Sequence, residues 1–346
     1  AGWAESSSRN VGDAGKPMAE GVMALRRNMV TAIAVDGDEV WVGTLNGVCA
    51  GRDQGRSWAA YGRPHGLGQA AVTALAAKGG TVWVATTEGL FVSRDHGGAW
   101  EEVKTRLPMG PEGQPGFPAG LRWIEVGEGR RGVSVWLAGF EAAPRRGGGR
   151  ELIRSEDGGV SWEAVATGAG GQASEPVESY ANSAHIFGKE VWACTRHGLA
   201  VSDDFGDTWK TVTSRDGLPS DHTLGACRQG DRRWVATMDG LCWRGAGRRE
   251  WTVAENFRAP AHSMAATRTG VWLATRGGLL FRSHGGTWKS FCQREEALAV
   301  AATEGRRPAW WVGTPGGLCV SRDRGETWRA YTVADRMPGN YVIAVE

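Results

Sequence analysis

One short pattern built around tryptophan returns seven times along the chain. It reads "VWVGTLNGV" (40–48), "VWVATTEGL" (82–90), a diverged "VWLAGFEAA" (135–143), "VWACTRHGL" (191–199), "RWVATMDGL" (233–241), "VWLATRGGL" (271–279) and "WWVGTPGGL" (310–318). Its marker tryptophans, Trp41, Trp83, Trp136, Trp192, Trp234, Trp272 and Trp311, recur every 38 to 56 residues. A second tryptophan closes each unit: Trp58, Trp100, Trp162, Trp209, Trp251, Trp288 and Trp328. These two sets take 14 of the 18 tryptophans in 346 residues, so a repeating rule places them. Self-similarity at this period means that each unit is one supersecondary element, stable only against its neighbours.

Each unit divides into four short strands. In the second, 72–77 is strand A, 81–86 strand B, 89–95 strand C and 99–103 strand D. Glycine-bearing turns separate them, as antiparallel hairpins require, and the chain holds 53 glycines. No 12-residue stretch keeps a helical period. A four-stranded sheet cannot bury both its faces alone, and units of this size solve that by packing radially. The expected fold is therefore all-β, a seven-bladed β-propeller of four-stranded antiparallel blades over 30–346, with 1–29 as an N-terminal extension. "NYVIAVE" (340–346) reads as one more strand A. It either closes the ring or begins an incomplete eighth blade, and the chain could be a fragment of a longer protein.

The segments "VSRDHGGAW" (92–100), "IRSEDGGVSW" (153–162), "VSDDFGDTW" (201–209) and "VSRDRGETW" (320–328) share S-x-D-x-G-x-x-W, with serine or threonine before the tryptophan in all but the first. This motif resembles the Asp-box, or bacterial neuraminidase repeat, of sialidases, sortilin-like receptors and photosystem II assembly factors. The B–C pattern, with linkers such as "DGLPSDHT" (216–223), resembles the two-component regulator propeller repeat. The resemblance implies the fold and leaves the activity open, because such repeats occur on unrelated functions. It also implies a structural role for Asp53, Asp95, Asp157, Asp204 and Asp323, whose carboxylates would accept N–H groups of the C–D turn. Units five (243–251) and six (281–288) lack the aspartate, and their turns are expected to be looser.

Several function classes lose support from the residues themselves. A net charge of +2 gives no case for nucleic acid or a membrane surface, and no apolar run approaches a membrane span. The opening at Ala1 fits a mature secreted product or a trimmed chain equally well. Six cysteines form no C-x-x-C pair; Cys49, Cys242 and Cys319 share one repeat position, too far apart for disulfides, and read as buried thiols. "GEGRRG" (127–132) satisfies G-x-G-x-x-G but leads into a strand, so it reads as a hairpin turn. No spacing indicates a metal or a cofactor, and none is expected.

Asp-box propellers raise the question of glycoside hydrolysis. A sialidase would need an arginine cluster and a tyrosine nucleophile with its glutamate. Tyr61 and Tyr331 fall on outer strands, Tyr341 in the last segment, and Tyr180 alone near an inner strand. The leading expectation is a non-catalytic protein-binding or complex-assembly module, periplasmic or extracellular. The alternatives are the ligand-sensing input domain of a two-component system and a glycoside hydrolase of sialidase-like fold. A partner would meet the face carrying the B–C and D–A connections, where insertions fall on consecutive blades (104–120, 139–151, 166–178). Phe140, Arg145, Arg146 and Arg150 are the expected contacts there. The B–C tips add Asn46, Glu88, Arg196, His197, Asp239 and Arg276, a ring that could also receive a small ligand at the axis.

Overall fold

The computed structural model describes residues 30–45, 47–52, 57–67, 70–105, 117, 121–139, 152–167, 181–245, 247–248, 250–254, 257–261, 263–291, 296–303 and 308–331. They form seven sheets, each of four sequential antiparallel strands. The inner strands A are Val30–Asp36, Val72–Lys78, Trp123–Gly129, Ala181–Phe187, Thr223–Gln229, Ser263–Ala266 and Ala299–Thr303. They gather about one axis, where residues from all seven line a common cavity. Helix among the described residues is limited to the single 3-10 turns Arg63–His65 and Ser214–Asp216. Sheet seven packs on sheet one through Trp311, Leu318 and Tyr331 against Val30, Ile33 and Val42, so the ring closes at seven blades. The last segment, 340–346, lies outside the described residues.

Strand B is covered on both faces by neighbouring sheets, which is why it reads as an unbroken apolar run. In blades 1, 2, 4 and 5 its burial is continuous after the first residue. The marker tryptophans are the largest side chains wholly removed from solvent. Trp41, Trp83, Trp136, Trp192 and Trp272 each meet the closing tryptophan of the following blade edge-on. The centroid distances are 6.1 Å for Trp41–Trp100, 5.9 Å for Trp83–Trp162, 6.0 Å for Trp136–Trp209 and 6.2 Å for Trp272–Trp328. Two tryptophans per unit thus make one inter-blade joint.

The B–C turn explains the fixed Thr and Gly of the repeat. In six blades a buried threonine hydroxyl donates to the carbonyl of a glycine three residues on, as in Thr195–Gly198 at 2.8 Å and Thr275–Gly278 at 2.8 Å. The glycine holds a positive φ (+113° at Gly278), which other residues adopt only under strain. Thr275 Oγ1 also accepts the Gly277 N–H. Thr275→Val keeps the volume and orphans both partners, so it is expected to cost about 1–2 kcal/mol in chemical denaturation.

The Asp-box turns are built alike in the four blades where they are described. In blade 4 the Ser202 hydroxyl donates to Asp204 Oδ1 at 2.7 Å and accepts the Gly206 N–H at 2.7 Å. Asp204 also accepts the Thr208 N–H at 2.9 Å and its hydroxyl at 2.6 Å. Blades 2, 3 and 7 repeat the serine bridge through Asp95, Asp157 and Asp323; Asp53 lies outside the described residues. The box glycine is required by proximity: a Cβ on Gly97 would stand 2.7 Å from Trp41, and one on Gly325 2.9 Å from Trp272. Arginines fasten the turns from the blade before, Arg52 donating to His96 O, Arg94 to Gly158 O and Arg154 to Phe205 O.

Blades 5 and 6 solve the same joint without the box. By register, Arg244 and Arg282 stand where the other blades place the box serine. Arg244 lies over Trp192 and Trp251 at 5.2 and 4.9 Å; Arg282 lies over Trp234 and Trp288 at 5.1 and 5.9 Å. A guanidinium between the marker and closing rings replaces the seated glycine.

Candidate functional site

Two regions of the ring present chemistry: the axial cavity and the B–C face. The cavity holds about 440 Å³. Its character follows from one register position, the inner-strand residue paired with each marker tryptophan. That layer reads Ala34, Ala76, Glu125, His185, Cys227, Ala265 and Ala301 around the ring. Four alanines keep the axis open, and the three functional groups come from consecutive blades.

Each inner strand leaves an open backbone edge toward the axis, and side chains of the preceding blade satisfy part of it. Trp123 Nε1 donates to Ala184 O at 2.8 Å, Asn182 Nδ2 to Thr223 O at 2.8 Å, and Ser263 Oγ to Val300 O at 3.3 Å. His185 Nε2 accepts the Ala226 N–H at 3.2 Å, which puts the ring proton on Nδ1 in the neutral form. Burial pulls His185 down to about 3. Burial likewise pushes the Glu125 carboxyl up to about 7, although the Ile186 N–H, the Lys78 charge and Trp123 favour its anion. The Cys227 thiol is driven far upward by burial and is inert as a nucleophile. The cavity therefore offers one carboxyl able to exchange a proton near neutrality, beside a neutral imidazole. Among the described residues no three His, Cys, Asp or Glu stand together as a metal site.

The B–C face carries the residues singled out by sequence. Glu88, Arg196, Asp239 and Arg276 are exposed and His197 is half-buried. None of them lines the axial cavity, because the tips stand at the opposite end of the blades from the A–B turns. The fields of Arg196 and His197 reach His222, where burial first and then both charges lower the imidazole. These three stand together at the entry to blade 5. Arg276 approaches Glu296 at 3.9 Å. Asn46, Phe140, Arg145, Arg146 and Arg150 lie outside the described residues, as do Tyr180 and Tyr341. Tyr61 and Tyr331 sit on outer strands, Ser57–Tyr61 and Arg329–Tyr331. The 127–132 segment is a hairpin, with Gly129 paired to Gly132. All five described cysteines are buried free thiols.

The box aspartates accept hydrogen bonds within their turns, and these lower their pKa values. The Thr208 hydroxyl and N–H hold Asp204 far below the carboxylate range, and Thr327 does the same for Asp323, at about 2. At Asp157 burial opposes the shift, and Ser161, Ser155 and Val160 outweigh it, again to about 2. A depressed folded-state pKa adds stability above the unfolded value near 4 and loses it as pH falls toward 2. Asp157→Asn removes that contribution at every pH above this window. It should flatten the acid limb of unfolding followed by tryptophan fluorescence; an unchanged acid limb contradicts the assignment.

No known protein family matches the sequence, and no curated protein matches it. Solved structures match the fold. An ancestral GH74 enzyme superposes with a TM-score of 0.66 at 14% identity, over 88% of this chain and 46% of that one. PorZ, a surface component of the type-IX secretion system of Porphyromonas gingivalis, gives 0.65 at 15% identity, over 89% and 39%. The computationally designed Ika8 protein gives 0.59 at 12% identity, over 92% and 90%. The chain spans less than half the length of the first two. At these identities the likeness is one of fold: the protein is a seven-bladed β-propeller.

Proposed function

We propose that the chain is a non-catalytic binding module acting outside the cytoplasm, engaging a protein partner across its B–C/D–A face. The observation that carries this reading is the construction of that face. Buried Thr–Gly bonds pin the B–C turns in six blades, while the residues at their tips differ from blade to blade. Rigid turns presenting varied side chains are the arrangement through which scaffolds bind. Arg196, with His197 and His222 beside it, gives the face a basic side chain for an acidic partner surface. The sequence puts the insertions at 104–120 and 139–151, with Phe140, Arg145, Arg146 and Arg150, in connections that belong to the same face. PorZ, described as a bacterial surface component, supports a location outside the cytoplasm for a propeller of this shape.

The axial cavity supports a second reading, a sensor input domain that takes a small ligand at the axis. The glycoside hydrolase reading has less support, since Glu125 is the one acid among the described lining residues and hydrolysis needs a facing pair. Co-purification from the native source, with the wild-type chain beside a 141–150 deletion and an Arg196→Ala/His197→Ala variant, tests the rim. A partner held by the wild type and lost by either folded variant supports it. A partner retained equally by both overturns it and moves attention to the axis.

A further inference from the structure

A groove lies between blades 4 and 5, beside the turn of blade 5 that lacks the Asp-box. In boxed blades the turn glycine seats against the preceding marker tryptophan. In blade 5 no glycine occupies that place, and nothing lies within 4 Å of where a Cβ on Gly247 would stand. The groove measures about 450 Å³, and its charged lining is Glu190, Asp203, Lys210, Arg233, Arg244 and Arg248.

The charges do not balance locally. Arg233 and Arg244 are direct cross-strand partners, a like-charge pairing that is unfavourable on its own. Glu190 neutralises Arg233 through two contacts of 2.8 Å. Arg244 has no acceptor bonded to it among the described residues, and its planar group is fixed between Trp192 and Trp251. Lys210 and Arg248 are exposed at the mouth, with Asp203 as the remaining acid. Burial, with the Arg233 charge adding to it, holds Arg244 below its ordinary value.

We propose that this groove binds a small ligand through a doubly charged oxyanion, a phosphate or a sulfate group. The pre-oriented Arg244 donates to the oxyanion in its own plane, while Lys210 and Arg248 close over it as mobile cations. The site is independent of the B–C rim and of the axis.

The test is titration calorimetry at pH 7 with inorganic phosphate and with inorganic sulfate, at constant ionic strength set by sodium chloride. Saturable binding of either anion is expected, and the two arms identify which group the groove takes. The Lys210→Ala/Arg248→Ala variant, whose changes are at exposed positions, is expected to keep the unliganded melting temperature and bind at least tenfold more weakly. Arg244→Lys, which keeps the charge and loses the planar fork, is expected to weaken binding as well. Absence of saturable binding by both anions overturns the proposal. So does binding that the Lys210→Ala/Arg248→Ala variant leaves unchanged.

Discussion

Trp83→Ala is expected to cost about 3–5 kcal/mol of stability, read as a lowered denaturation midpoint. Trp83 is about 1% exposed and is shared by two blades, packing under Trp162 and against the Gly159 turn. Its indole N–H has no acceptor among the described residues, nor do those of Trp41, Trp192, Trp272 and Trp311. Volume therefore explains the residue, and Trp83→Phe should lose much less than Trp83→Ala. Gly159 supplies the second half of the test. A Cβ there overlaps the Trp83 ring, and its φ of +91° adds backbone strain. Gly159→Ala should be severe alone and milder in the Trp83→Ala background, where only the backbone strain persists. Additive effects from the two substitutions would show that the turn is not seated on the ring.

The same pair marks what sequence could reveal. Trp83 and Gly159 belong to joints repeated around the ring, and a constraint imposed several times writes itself into the chain as a period. Blade number and strand order were legible for that reason. Arg244 and Arg282 were not, because each takes the box-serine position and acts on a tryptophan of another blade. The absent aspartates at 243–251 and 281–288 were visible as a gap, and only packing discloses what fills it. Glu125, His185 and Cys227 were hidden differently. The inner strands share no signature, so these residues line up only through their pairing with Trp136, Trp192 and Trp234. With that register in hand, three ionisable side chains among four alanines would have stood out.

Glu125 and His185 are expected to oppose one another as pH changes, and removing either should expose the other. Glu125 titrates near 7 when folded against 4.5 as a free side chain, so the folded protein binds the extra proton between those values. Its contribution is complete below about pH 4.5 and is lost as pH rises through 7. His185 titrates near 3 when folded against 6.5 free, so there the unfolded chain binds the extra proton. Its contribution is complete above about pH 6.5 and is lost as pH falls toward 3. Between pH 4.5 and 6.5 the two slopes, each about 1.4 kcal/mol per pH unit at most, run in opposite directions. Among the described residues the other ionisable groups about the cavity are Lys78, Arg228 and Cys227, whose thiol burial drives far upward. The two axial slopes should therefore cancel over this window, leaving in the wild type the loss toward low pH that the burial-lowered His222 adds. Glu125→Gln keeps an acceptor for the Ile186 N–H and removes one slope, so stability should fall steeply as pH drops from 6.5 to 4.5. His185→Gln can still accept the Ala226 N–H, and its stability should rise as pH drops over the same range. Urea denaturation at half-unit pH steps reads both profiles, and parallel profiles for the two variants would refute the opposed titration.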